Sequence, residues 1–271
     1  MSLKKLLKLK IKIISIILIY FFINNKNVYA IEQFTAHGGP VKGLAVSADN
    51  KLMASASFDY SVVIWSLNPI KEKITLIGHD AAVNTVKFTP GNDYLVSGGD
   101  DNNVLLWSLK NINNVDKEIE PLKIGQHRGK VSGLDFSKNG KFLLTASWDG
   151  TIGVWDIPKR KKIMTLRGHK GPVYSVKYSY DNKYIYSSGA DGEIKLWKAE
   201  DGAYLRPLIK NGWGISKFEI DEKRNFIAYG ATDGQIHINE FKKDKSILKI
   251  KEDRVPILSM YYLEKENMIS F

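Results

Sequence analysis

Four histidines, four aspartates and four tryptophans stand on one ruler. His37, Asp59 and Trp65 are separated by 22 and then 6 residues. The same spacing holds for His79, Asp101 and Trp107, for His127, Asp149 and Trp155, and for His169, Asp191 and Trp197. Imidazole and carboxylate are side chains of proton transfer and metal ligation. A neutral imidazole accepts at one nitrogen and donates to a carboxylate from the other. A reactive centre is single, however, and this constellation is fourfold. Zinc held by the four histidines fails for a related reason, since each belongs to a different unit. His237 lies off the ruler and is expected to be structural or on the surface. No phosphate-binding loop, dinucleotide fingerprint or metalloprotease helix occurs. Asp100, Asp101, Asn102 and Asn103 resemble a calcium loop only superficially, because the central Gly and closing Glu are missing. The chain has no cysteine, which removes thiolate nucleophiles, disulfides and Cys-ligated zinc within it. No cofactor or metal site is expected.

The elements that position these residues repeat with them. The steps between histidines are 42, 48 and 42 residues. A period in the low forties with short strands inside it points to a β-propeller. Each unit reads as strand, turn, strand, tight turn, strand, with an outer strand leading onward. In the fourth, residues 173–178 form the inner strand, Asp181-Asn182 the turn, 184–188 the second strand, Asp191-Gly192 the next turn and 194–197 the third. Alternation puts Val176 and Tyr178 on one face and Ser175 and Lys177 on the other. Val86 with Phe88, and Leu134 with Phe136, are the equivalent pairs and should pack between sheets. Six extra residues around 111–117 predict a longer loop in the second unit, and residues 159–162 (Lys-Arg-Lys-Lys) predict a solvated turn.

The unit over residues 129–155, GKVSGLDFSKNGKFLLTASWDGTIGVW, resembles a WD-repeat, and Gly78-His79, Gly168-His169 and Trp155-Asp156 match that family's marker pairs. The resemblance covers roughly residues 31–262. It implies a Ser or Thr four residues before each Asp, here Ser55, Ser97, Thr145 and Ser187, and a hydrogen-bond chain from Trp through the hydroxyl to His and on to Asp. A buried indole N–H needs such an acceptor. The Ser-His-Asp content is therefore structural rather than catalytic, since catalysis needs one exposed nucleophile and not four buried copies. The resemblance also places partner contacts on the face that holds the turn before each third strand. There Phe58, Trp148 and Tyr174 stand out, with Lys42 and Lys130 beside them. Aromatics beside cations are typical of interface hot spots. Rings that merely cover the channel mouth are the alternative.

Residues 1–30 differ from the rest. Six lysines and no acid, an apolar run over 13–23 and Val28-Tyr29-Ala30 read as a secretory signal cut after Ala30. The run is short for a membrane span of about 20 residues, so an uncleaved anchor is the rival and the only expected membrane link. Export, to a bacterial periplasm, follows. Outside this segment the charge is +5, from 34 basic against 29 acidic side chains, too mild for nucleic-acid binding. Hydrophobic content of 44% supports a globular core.

The expected domain is an all-β WD-repeat β-propeller over residues 31–271. Its repeats fall at about 37–78, 79–126, 127–168, 169–210 and 211–252, with a partial sixth at 253–271. The fifth has decayed: Asn211, Tyr229 and Asn239 replace the His, Ser and Trp, while Asp233-Gly234 remains. In the sixth, a strand over 257–262 should pair with 268–271. A strand over 31–36 should complete the outer edge of the last blade. The unfinished sixth unit suggests a piece of a longer chain with six or seven blades. The expected function is a non-enzymatic protein–protein interaction scaffold that takes a protein or peptide partner. The alternative is the propeller of a periplasmic electron-transfer protein, because the first repeat is similar to those of exported bacterial propellers fused to c-type cytochrome domains. In that case the haem would lie beyond Phe271.

Overall fold

A computed structural model describes residues 35–113, 119–241, 246–251, 257, 261–263 and 268–270. Among them every regular element is a strand. Twenty of these form five antiparallel four-stranded sheets, each in chain order from inner to outer edge. Blade 1 holds β1 (Val41–Val46), β2 (Leu52–Ser57), β3 (Ser61–Leu67) and β4 (Ile70–Ile77). Blade 2 holds β5 (Val83–Phe88), β6 (Tyr94–Gly99), β7 (Asn103–Ser108) and β8 (Leu122–Gln126). Blade 3 holds β9 (Val131–Phe136), β10 (Phe142–Ser147), β11 (Thr151–Asp156) and β12 (Lys161–Arg167). Blade 4 holds β13 (Val173–Tyr178), β14 (Tyr184–Gly189), β15 (Glu193–Lys198) and β16 (Tyr204–Lys210). Blade 5 holds β17 (Ile215–Asp221), β18 (Phe226–Ala231), β19 (Gln235–Glu240) and β20 (Ser246–Lys251). Two short strands, β21 (Tyr261–Leu263) and β22 (Met268–Ser270), pair with each other.

Each inner strand packs against the next, β1 on β5, β5 on β9, β9 on β13 and β13 on β17. The core therefore lies between blades. Val86 and Phe88 pack with Ala54, Val62 and Ile64 of blade 1, and Leu134 and Phe136 with Val96, Val104 and Leu106 of blade 2. Val176 and Tyr178 repeat the pattern against Leu144, Ile152 and Val154. The middle strands carry almost no polar face because both of their faces are covered. Ser175, expected on the opposite face from Val176, is buried as well for that reason. In blade 1 the counterparts of these core residues, Leu44 and Val46, are exposed, since no earlier blade precedes it among the described residues.

Several expectations need correction. Ile257 lies in no strand and seats against Ala228 and Ile236 of blade 5; Tyr261 and Tyr262 of the expected strand belong to β21, and residues 258–260 lie outside the described residues. Lys159 and Arg160 form the turn, but Lys161 and Lys162 already belong to β12. Thr35 and Ala36 are not strand, while the rest of the expected N-terminal strand, residues 31–34, lies outside the described residues. So do the signal segment, residues 114–117 of the predicted long loop, and most of the sixth unit.

Candidate functional site

The ruler residues assemble within single blades. His127 sits in the connection before β9, Thr145 on β10, Asp149 in the β10–β11 turn and Trp155 on β11. The Trp155 indole N–H donates to Thr145 Oγ1 at 2.8 Å, and that hydroxyl meets His127 Nε2 at 2.7 Å. His127 Nδ1 meets Asp149 Oδ2 at 3.1 Å. The chain is directional: indole to hydroxyl, hydroxyl to imidazole, imidazole to carboxylate. In blade 1, Trp65, Ser55, His37 and Asp59 repeat it at 2.8, 2.8 and 2.9 Å. In blade 2, Trp107, Ser97, His79 and Asp101 do so at 2.8, 2.7 and 2.8 Å. In blade 4, Trp197, Ser187, His169 and Asp191 do so at 2.8, 2.8 and 2.9 Å. The twelve ruler residues and the four hydroxyl residues are brought together as the resemblance implied. The glycine of the Gly-His pairs has a packing role. A Cβ on Gly78 or Gly168 would stand 3.0 Å from the indole of Trp107 or Trp197.

This arrangement holds the blade rather than attacking a substrate. Ser97, Thr145 and Ser187 are fully buried, and each hydroxyl proton is committed to an imidazole. The carboxylates are saturated too. Asp149 also accepts from the Arg128 N–H, the Thr151 N–H and the Thr151 hydroxyl. Burial alone would raise each aspartate, but these donors outweigh it. Asp101 and Asp149 are held at about 2, and Asp59 and Asp191 well below the usual carboxylate range. Burial pulls His127 below its ordinary value, and Asp149 opposes this only in part. Both shifts work in one direction. A carboxylate with a depressed folded-state pKa contributes stability above its unfolded value and loses it as pH falls through the folded one. A histidine buried neutral likewise destabilises the fold when acid forces a charge on it. The melting temperature should therefore hold above about pH 7, soften below about 6.5 and fall steeply from about pH 4 towards 2. Calorimetry across this range checks it, and equal melting temperatures at pH 7 and pH 3 would refute it.

The face at the β2–β3 and β10–β11 turns carries two of the exposed aromatics, Phe58 and Trp148. Phe58 and Trp148 are 43% and 47% exposed, far above the ruler tryptophans. Lys42 Nζ lies 5.1 Å from the Phe58 ring centre, and Lys130 Nζ 5.3 Å from that of Trp148. Trp148 meets Tyr174 of blade 4 edge-on at 6.0 Å. The five predicted contact residues thus form two clusters, one on blade 1 and one across blades 3 and 4, with blade 2 between them. Sequence reasoning missed how Lys130 is held. Its ammonium pairs with Asp100 of blade 2, which also accepts from Asn84 Nδ2 at 2.7 Å. Lys130 is a braced cation rather than a free one. Two further aromatics were missed. Trp213 is 59% exposed before β17, where the other units carry Gly39, Ala81, Gly129 and Gly171. Tyr60 is 50% exposed with a φ of 73° in a turn where three other blades use Gly. A bulky residue in the left-handed region is uncommon and carries a cost in strain. A large residue at a small-residue position was the available signal for both.

The profile described as "WD domain, G-beta repeat" matches residues 29–66, 70–108, 120–156 and 160–198, more than half of the chain. The chain belongs to the WD40 repeat family. Curated relatives include the p21-activated protein kinase-interacting protein 1-like of Danio rerio, 30% identical over 125 residues, 46% of this chain and 32% of that protein. The small ribosomal subunit protein RACK1 of Drosophila melanogaster is 32% identical over 118 residues, 44% of this chain and 35% of that protein. The ribosome biogenesis protein YTM1 of Vanderwaltozyma polyspora is 35% identical over 126 residues, 42% of this chain and 27% of that protein. The matched stretch thus covers about a third or less of these relatives. Their different names are what a shared WD40 repeat, rather than a shared activity, produces.

The four WD40 matches end at residue 198, yet blade 5 is a full four-stranded sheet. In place of the Trp, hydroxyl and His of the other blades it carries a pair of rings. Tyr229 and His237 face each other across β18 and β19, where blade 3 has Thr145 and Gly153, and their rings stack at 4.7 Å and 4°. His237 is buried, so the structural alternative for it holds. Stacked rings fill the space that the hydroxyl, imidazole and indole occupy elsewhere.

Proposed function

We propose that this WD40 chain is a non-enzymatic scaffold that binds a protein or peptide partner through the face bearing Phe58, Lys42, Trp148, Lys130 and Tyr174. One observation carries the reading. Trp148 is a half-exposed indole held rigidly, edge-on against Tyr174 and beneath an ammonium that Asp100 fixes in turn. Rings whose geometry is set before binding give contact area at low entropic cost. Relatives with WD40 repeats carry names such as kinase-interacting protein and ribosomal subunit protein, which supports a binding role. A photo-crosslinking residue at position 148 tests it, with position 204 as the control because Tyr204 is comparably exposed on outer strand β16. A discrete adduct at 148 alone supports the face. Equal adducts at both positions, or none, would refute it.

The lysine-rich start, the apolar run and the Val28-Tyr29-Ala30 segment before the cut support export, with the scaffold working outside the cytosol and, in a bacterium, in the periplasm. The mature protein then begins at Ile31, which N-terminal sequencing of the protein from its own cells checks. Intact Met1 in the cytosolic fraction would overturn export.

A further inference from the structure

The turns joining the first and second strands of each blade lie at the end of the sheets opposite Phe58 and Trp148. They are laced together. The Ala48 N–H donates to Asn92 Oδ1 at 2.9 Å, the Lys138 N–H to Asn182 Oδ1 at 3.0 Å, and the Tyr180 N–H to Glu222 Oε1 at 3.2 Å. Between blades 2 and 3 the lace is replaced by contact for a chemical reason. Pro90 has no N–H to donate, and Gly140 stands where the acceptor Asn would be. These turns therefore form a rigid platform.

Charge on the platform is uneven. The turns of blades 1 and 2 carry Lys51 against Asp49 and Asp93, while those of blades 3 to 5 carry five cationic side chains against two carboxylates, with Asp221 at the end of β17 beside them. Tyr180 stands in that basic half and is 65% exposed, which ties it with Leu44 as the most exposed large apolar side chain described. Lys138 Nζ lies 4.4 Å from its ring centre and Lys223 Nζ 4.8 Å. The local carboxylates are otherwise engaged. Glu222 Oε1 accepts from the Tyr180 N–H and the Tyr186 hydroxyl, Asp181 from Ser179 and Lys183, and Asp221 from Arg224. Among the described residues Lys138 and Lys223 form no ion pair, and the tyrosine ring is what their ammonium groups face.

From this geometry we infer that the basic end of blades 3 to 5 is a second docking surface, which takes an acidic peptide segment. Its carboxylates pair with Lys138 and Lys223, and an apolar side chain between them lies on Tyr180. Free phosphate would engage the ammonium groups but leave the ring uncovered. A membrane surface presents continuous negative charge, which Glu222 and Asp181 interrupt and repel. A strand with discrete carboxylates avoids both problems. This surface and the Trp148 face lie at opposite ends of the sheets, so both can be filled at once. The inference stands whether or not the Trp148 face binds.

The test is fluorescence anisotropy with a fluorescein-labelled peptide of alternating Glu and Leu, titrated with the full chain. Lys138→Glu with Lys223→Glu should weaken binding by about tenfold or more, equivalent to about 1.4 kcal/mol. Tyr180→Ala should weaken it several-fold, and Trp148→Ala should leave it unchanged. Lys138→Arg with Lys223→Arg should retain it, and raised salt should weaken it as screening shortens the Debye length. Four results would each overturn the inference: undiminished binding by the charge-reversed variant, equal binding of a Lys-Leu peptide, displacement of the peptide by millimolar inorganic phosphate, or binding of phosphatidylserine vesicles in place of the peptide.

Discussion

Trp155→Ala should lower the unfolding free energy by about 3–5 kcal/mol, a large share of the roughly 5–15 kcal/mol that holds a domain together. The indole is almost fully buried and packs into the core cluster shared with Val96, Leu106 and Ile124 of blade 2. Three losses coincide. The first is burial, because a large ring leaves a cavity that the flanking strands cannot close. The second is polar. Thr145 Oγ1 loses its only indole donor, and the hydroxyl that orients His127 is left under-satisfied in a dry site. The third is the ring's own contacts, an edge-on approach to His127 at 6.1 Å and the Lys162 ammonium 4.4 Å from its centre. Urea unfolding measures the sum. Thr145→Val separates the polar part, since it keeps volume while stranding the Trp155 N–H and His127 Nε2. A loss under about 1 kcal/mol for Trp155→Ala would show that the network does not hold the blade together.

The second large effect is on binding, with stability held. Phe58→Ala combined with Trp148→Ala should weaken capture of the partner crosslinked at position 148 by about 30-fold or more, the scale of a hot-spot loss of about 2 kcal/mol. The same double variant should change stability little, because both rings are about half exposed and belong to none of the core clusters. Both parts of the result are needed. Lost capture with an unchanged urea midpoint places the energy in the interface. Lost capture with a lowered midpoint places it in the fold, and retained capture removes the face from consideration.

Much of the fold was legible because contacts within a blade recur at constant offsets. Turns of fixed length set the register, so His127, Thr145, Asp149 and Trp155 must meet once β9 to β11 pair as they do. The strand Val173–Tyr178 and the inter-blade pairs Val86–Phe88 and Leu134–Phe136 followed from two-residue alternation alone. Alternation does not reveal what covers the second face, so the burial of Ser175 was missed.

What the amino-acid sequence determined by itself, then, is the repeat, its His, Asp and Trp spacing and its strands, since each depends on short and nearly constant separations along the chain; the hydroxyl member and the order of the hydrogen-bond chain came from the WD-repeat resemblance. Only the tertiary structure decided the lateral contacts. Asp100 braces Lys130 from 30 residues away, and Lys138 and Lys223 flank Tyr180 from different blades. Those contacts depend on how neighbouring sheets stack and twist. No local periodicity encodes that, because each side chain's partner belongs to a neighbouring blade, 30 to 43 residues away along the chain.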